Sequence, residues 1–361
     1  MRDIAIGWGL AIGTCLALVG CGSGSVQPGT GGTGAGVGGT TATGGVGVGG
    51  AGGAPAAGPT KLSYGEPWPL NLAVDGKTVF WTNHDNASVA STPIGGSTSL
   101  APTVLASDGI GSQAWGLAVD ATNVYWTAYF AGGQTGTINA IPKAGGTRTR
   151  LVSDMSNPSG LAADATSLYW VNGANGRTAI MKMPKAGGTP TMLARIDGLA
   201  SGEMILDENS VYWTITVTGT STAPGILKIA KTGGDPVGLF PGPAAHVAGI
   251  ATDGVDVYWA DNDESNYKGS IMKVPAEGGT PTVLITDQDR PVSIAVDATN
   301  VYWTNYATLP SSGTVMKMPK TGGTPVMVAS GLTAPRSVTV DASNVYWVCA
   351  TSSGPVYQAP K

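Results

Sequence analysis

The chain has 361 residues, a net charge of −4 and only 12% charged side chains, so it is long enough for a large core and has no broad electrostatic attraction for nucleic acid. Glycine is very high at 56 residues, much of it concentrated in one stretch rather than spread with a collagen-like period. The three cysteines, Cys15, Cys21 and Cys349, give no legible disulfide framework.

Residues 1–20 read as an export signal. Arg2 gives a short positive start, and Ile4 to Val19 is a mostly apolar run, too short and too glycine-broken for a comfortable membrane-spanning helix. The run ends in Leu18-Val19-Gly20-Cys21, which resembles the lipobox of bacterial lipoproteins. That resemblance implies that Cys21 receives the lipid and becomes the new N-terminus. Gly22 follows it, not the Asp that resembles an inner-membrane retention signal, so the expected location is the outer membrane or cell surface. Residues 21–57 are Gly, Thr, Ala and Val with almost no charge, a flexible tether whose ends lie roughly 35 Å apart on average.

Residues 58–361 follow a beat. Val-Tyr-Trp, or a close variant, ends at Trp81, Trp126, Trp170, Trp213, Trp259, Trp303 and Trp347, at spacings of 45, 44, 43, 46, 44 and 44 residues. One four-stranded propeller blade needs a period of ~40–45 residues. Within a unit such as 293–329, a short apolar strand ends in Asp297 and turns into Val301-Tyr302-Trp303. A variable loop leads to a third strand ending at Pro319, and Lys320-Thr321-Gly322-Gly323 turns into a fourth. Adjacent Tyr and Trp point to opposite faces of their strand, so both faces require cover, which stacking of blades around an axis supplies. The ends give the count. The C-terminus matches a third strand position for position, and residues 58–62 match a fourth. The expected fold is all-β: a seven-bladed β-propeller of four-stranded antiparallel blades, closed by an N-terminal strand. Over essentially all of 58–361 the units resemble the YWTD and NHL classes of propeller; YWTD domains are usually six-bladed, and Tyr258-Trp259-Ala260-Asp261 is the one copy with the Asp of that name.

Repeated polar residues are expected to serve the frame. Asp75, Asp120, Asp164, Asp207, Asp253, Asp297 and Asp341 end the first strands and are read as turn residues. The recurring lysines (Lys143, Lys185, Lys231 and Lys320 in the turns, Lys182, Lys228, Lys273 and Lys317 in the strands) are read as solubilising the outer strands. Cys349 is read as a small buried hydrophobe. Function is expected where the units differ, in the loops before the first strand and after the second, which gather at one mouth of the channel in propellers of this type. Trp115, Asn157, Glu203, His246, Arg290 and Arg336 come from the first set, Tyr129 and Tyr306 from the second. Mixed polar, aromatic and charged groups suit a binding site for a protein, peptide or glycan. The alternative is a metal-assisted lyase or lactonase, chemistry that propellers of this kind also carry, with a site at the same mouth. No cofactor is required by any motif. Asp261 and Asp263 open a D-x-D-x-S start for Ca²⁺, but Asn266 and Met272 stand where a calcium loop needs Gly and Glu, so the segment is read as a solvated acidic loop.

Overall fold

The structure is a computed structural model. It describes residues 58–361 except 98, 110, 131–134, 175–176, 198, 217–224, 241–246, 264–266 and 307–310. The export signal, Cys21 and the tether therefore lie outside the described residues.

The described residues form seven four-stranded antiparallel sheets and no helix. Six are simple meanders. They begin with Pro69–Val74, Ser112–Val119, Pro158–Ala163, Leu199–Leu206, Val247–Thr252 and Pro291–Val296, and are called blades 1 to 6. Blade 7 begins with Pro335–Val340, and its fourth strand is the N-terminal segment Thr60–Glu66, paired with Gly354–Pro360. Each first strand touches the first strand of the next blade, and that of blade 7 touches that of blade 1, so the seven make a closed inner ring. The architecture and its N-terminal closure are those expected from the repeat.

The aromatic pair does what its opposed faces require. In each of seven clusters the Tyr (or Phe80) of one blade packs with the Trp of the next: Phe80 with Trp126, Tyr125 with Trp170, Tyr169 with Trp213, Tyr212 with Trp259, Tyr258 with Trp303, and Tyr302 with Trp347. The seventh joins Tyr346 of blade 7 to Trp81 of blade 1, with fully buried Leu62 of the closing strand beside them. No blade owns a complete core. Burying large aromatics contributes about 1.5–3 kcal/mol per side chain, and here that term acts between blades.

The end of the ring opposite the candidate mouth carries a second repeated device. In every blade the first-strand Asp accepts from two backbone amides of its own turn, as Asp297 does from Thr299 and Asn300, both at 2.8 Å. In blades 2 to 7 its other oxygen accepts the hydroxyl of the same blade's Tyr, at 2.5 to 3.1 Å. The turn reading of these carboxylates holds. The lysine reading is corrected. Lys143, Lys185, Lys231, Lys320 and Lys361 reach back to Asp75, Asp120, Asp164, Asp253 and Asp297 of the preceding blade at 2.6 to 3.2 Å, so they bridge blades. Two strand lysines do the same through carbonyls: Lys182 donates to Lys231 O at 3.0 Å and Lys228 to Ala276 O at 2.9 Å. The solubilising reading missed this because a lysine stem lies along the sheet surface and delivers its ammonium to a neighbouring blade. At two junctions the turn lysine is replaced, by Ala276 between blades 4 and 5 and by Ile94 between blades 7 and 1.

Candidate functional site

Every first strand is interrupted near the mouth by a register shift: Pro69/Leu72, Ala114/Leu117, Ser159/Leu161, Ala200/Met204, Val247/Gly249, Pro291/Ser293 and Arg336/Val338. Such a bulge adds an unpaired residue and re-aims the side chains around it. Trp115, Glu203 and Arg336 sit in or at these bulges. The position four before each Asp shows the constraint. It holds Asn71, Gly116, Gly160, Gly249, Ser293 and Ser337 in six blades and Glu203 in blade 4. A Cβ on Gly116 would lie 2.7 Å from Leu161 Cβ, and one on Gly249 would lie 3.0 Å from Ser293 Cα. Ser337 Oγ and Ser293 Oγ instead accept from the next first strand, at Leu72 N and Val338 N, both 3.1 Å. Blade 4 alone places a carboxyl there.

The mouth residues fall into two groups. On blades 1 and 2, Trp115 stacks with Tyr129 (centroids 6.4 Å, 16° between planes) and meets His84 edge-on at 5.2 Å. The Trp115 carbonyl accepts from Asn71 Nδ2 at 2.6 Å, and His84 Nδ1 lies 2.9 Å from Asp85 Oδ1. Burial pushes the Tyr129 hydroxyl up, and the Trp115 indole offsets part of that shift.

The second group spans blades 4 to 7. Arg290 has a left-handed backbone (φ 56°), its amide donates to Tyr267 O at 2.9 Å, and its carbonyl accepts from Tyr306 N at 2.9 Å. Its guanidinium lies 5.4 Å from the centre of the Tyr267 ring and 5.0 Å from that of Tyr306. Such cation–ring contacts contribute about 0.5–2 kcal/mol each. Glu203 and Arg336 are each partly buried and lie within electrostatic reach of one another. Burial pushes the Glu203 carboxyl up to about 7, with Arg336 pulling it partly back. Burial likewise lowers the Arg336 guanidinium. Tyr306 and Glu203 oppose that shift and Arg290 adds to it.

Of the residues expected at the mouth, Trp115 with Tyr129, and Arg290, Arg336, Tyr306 with Glu203, are thus brought together as two groups. Asn157 takes the position equivalent to Arg290 in blade 3, also left-handed (φ 44°), and its carbonyl accepts from Gly173 N at 3.4 Å; its place is set by the turn. His246 lies outside the described residues. Asp261 and Asp263 belong to the strand Asp256–Asp263 and pair with Ser270 and Lys268, so they continue a ladder and do not open a loop as expected. Tyr267 was not expected from the sequence; it is a loop aromatic with no repeat signal, and only the fold sets it against Arg290. Cys349 is buried and its thiol is pushed up to about 12 by burial, which suits the packing role expected of it.

No protein-family model and no curated protein matches the sequence. Solved structures do match the fold. The chain is 10% identical to an oligogalacturonate lyase from Vibrio parahaemolyticus, with a TM-score of 0.58, covering 83% of this chain and 90% of the other. It is 10% identical to the β-propeller domain of the trilobed protease from Pyrococcus furiosus, with a TM-score of 0.57 over 81% of this chain and 95% of the other. That propeller is described as having an open velcro topology, whereas here the N-terminal strand closes blade 7. A structure of a nidogen/laminin complex is 18% identical over 76% of this chain and 85% of the other, at a TM-score of 0.44. At these identities the shared property is the architecture: the chain carries a seven-bladed β-propeller.

Proposed function

We propose that this chain is a lipid-anchored, extracytoplasmic binding module whose ligand, a protein, peptide or glycan, docks at the channel mouth. The observation that carries the reading is the contrast between the two ends of the ring. One end repeats a single Asp–Tyr–Lys device from blade to blade, as a folding frame requires. At the other, the same bulge presents Trp115, Glu203 and Arg336 in different blades, a mixture of aromatic, acidic and basic groups suited to recognition. The fold alone is neutral on the point, since its structural neighbours include a lyase and a protease propeller. The anchor rests on the apolar run ending at Cys21.

The test is a pair of arrays, one of glycans and one of peptides, probed with the full-length protein and with Trp115→Ala/Tyr129→Ala. The variant should lose what the parent retains; the same features bound at the same strength by both would sink the reading. For the anchor, Cys21→Ala should move the protein from the membrane to the soluble fraction, and a variant still sedimenting with membranes would refute it.

One observation favours catalysis as a second reading. Burial pushes the Glu203 carboxyl up to about 7, a range suited to general acid–base work in a metal-assisted lyase or lactonase. Under that reading a chelator lowers the melting temperature and a divalent ion restores it. An unchanged melting temperature counts against it.

A further inference from the structure

The seam that closes the ring departs from the repeat at several neighbouring positions. Two residues after the proline that leads into a fourth strand, other blades have Val104, Met192, Val283 and Met327; the closing strand has Lys61 there. Three positions further on, those blades have Ser107, Arg195, Thr286 and Ser330, and the closing strand has Tyr64, which is 59% exposed. Opposite the blade tryptophan, Met181, Met272 and Met316 are replaced in blade 7 by Tyr357. Across the seam, blade 1 has Ile94 in place of the turn lysine, and a longer turn. Its prolines are Pro93 and Pro102, against Pro184 and Pro190, Pro275 and Pro281, or Pro319 and Pro325, which adds three residues.

These departures meet in space. Gln358 Oε1 accepts from Gly95 N at 3.0 Å, and a Cβ on Gly96 would lie 3.3 Å from Leu62 Cδ2, so the turn of blade 1 is seated on blade 7. Leu100, further along the turn, is held left-handed (φ 54°), with its amide donating to Ser97 O at 3.2 Å. That conformation is costly for a bulky residue and persists only where the surroundings impose it. Turn and closing strand thereby form a cleft of about 410 Å³ lined by Lys61, Tyr64, Ser99, Leu100 and Ala101. It lies at the outer rim, at the end of the ring opposite the mouth. Among the described residues that line it, Lys61 carries the charge. The turn lysines end on carboxylates, whereas the Lys61 ammonium lies against rings, 4.8 Å from the centre of Tyr64 and 5.9 Å from that of Tyr357. Tyr357 is itself stacked on Trp347 (centroids 5.4 Å, 20° between planes). Ring contacts orient an ammonium without neutralising it.

We propose that this seam cleft binds a small amphiphilic anion, its anionic head on the Lys61 ammonium and its hydrocarbon part against Tyr64 and Leu100. The cleft is within the ~300–1,000 Å³ usual for small-molecule sites, and it combines apolar walls with one charged group that fixes orientation. An ammonium pairs as a point charge with carboxylate or phosphate oxygen, so the head can come from a free acid or from a phosphate monoester. The site goes beyond the mouth reading and does not depend on it.

The test is calorimetric titration of the full-length protein with hexanoate and hexyl phosphate, alongside acetate, which is a head without a body, and hexan-1-ol, which is a body without a charge. At least one of the two amphiphiles is expected to bind saturably, more tightly than acetate and hexan-1-ol by about tenfold or more. Whichever binds identifies the source of the head. Lys61→Gln should weaken that amphiphile by about tenfold or more, and Tyr64→Ala should weaken it as well. Arg150→Gln, at the matching place of blade 2, removes an exposed charge of the same sign without touching the cleft and should leave affinity unchanged. The proposal is overturned if neither amphiphile binds saturably, if hexan-1-ol or acetate binds as tightly, if Lys61→Gln leaves affinity unchanged, or if Arg150→Gln weakens it as much. Should Lys61→Gln fail to fold, Tyr64→Ala, a change at an exposed side chain, and the comparison of amphiphile with alcohol on the unaltered protein decide the matter.

Discussion

Glu66 and Gln288 occupy the same place in different blades, fifteen residues before a Trp and on the fourth strand of the preceding blade. Glu66, only 4% exposed, accepts from Ser63 Oγ at 2.6 Å, Trp81 Nε1 at 3.0 Å and Asn83 Nδ2 at 2.9 Å. Gln288 accepts from Trp303 Nε1 at 3.0 Å and Asn305 Nδ2 at 3.3 Å. Met155 and Leu332 stand there in two other units, where the Nε1 atoms of Trp170 and Trp347 are buried without a partner among the described residues. The indole donor is thus met selectively, and at Glu66 the bond ties the closing strand to blade 1. Glu66→Gln keeps an acceptor and should change stability by less than about 1 kcal/mol, whereas Glu66→Ala leaves buried donors unpaired and should cost about 2–3 kcal/mol in chemical denaturation. Equal effects of the two would contradict this account. The Trp was legible in the sequence because every blade repeats it. The acceptor was not, because two polar residues among apolar counterparts carry no periodic signal.

At the scale of the element, the third strand of one blade and the first strand of the next are fitted by a Gly–Pro contact. A Cβ on Gly313 would lie 2.5 Å from Pro335 Cδ and 2.9 Å from Leu332 O. Gly136 stands against Pro158, Gly269 against Pro291 and Gly354 against Pro69 in the same way. These glycines permit close approach; the left-handed conformation falls to the residue before each proline, namely Trp68, Asn157, Arg290 and Ala334. Gly313→Ala should therefore destabilise by about 1–3 kcal/mol through overpacking, while Gly76→Ala, with open space around its Cβ, tests a different term, the φ of +82°. If Gly313→Ala melts with the parent, the contact is looser than its geometry implies. The strands themselves were legible from alternation and turns. Their bulges were not, since a bulge is a relation between two strands; in hindsight the small residue four before each Asp marks most of them, and Glu203 stands out as the exception.

For the whole molecule, the Asp residues at the end opposite the mouth make stability depend on acid. Burial by itself would raise Asp253, but the amides of Asp256 and Val255, Lys320 and the Tyr258 hydroxyl outweigh it and hold the carboxyl at about 2. The other six are lowered by the same kinds of partner acting against burial. A carboxyl whose folded-state pKa is depressed adds stability above its unfolded value, ~3.9, and loses it as pH falls through the folded value. The denaturation midpoint should accordingly fall steeply between pH ~4 and ~2. Lys320→Ala should make the decline shallower and end it at higher pH, with its onset unchanged, because it moves the folded-state value of Asp253 back toward the unfolded one. A midpoint flat across that window would refute the argument.

Read alone, the sequence determined the period, the seven units, the aromatic pair that must be covered on both faces and the spare strand that closes the ring, because each is a pattern that recurs in every blade and local chemistry suffices to decode it. It also singled out the unrepeated Trp115, Glu203, Arg290 and Arg336. Only the tertiary structure decided that the turn lysines bridge blades, that Trp115 packs with Tyr129 and His84, and that Arg336 lies within electrostatic reach of Glu203. Apart from the Trp115–Tyr129 contact within blade 2, those relations join residues from different blades, up to 133 positions apart for Glu203 and Arg336. Their energies depend on distance and burial, which a linear order of residues does not contain.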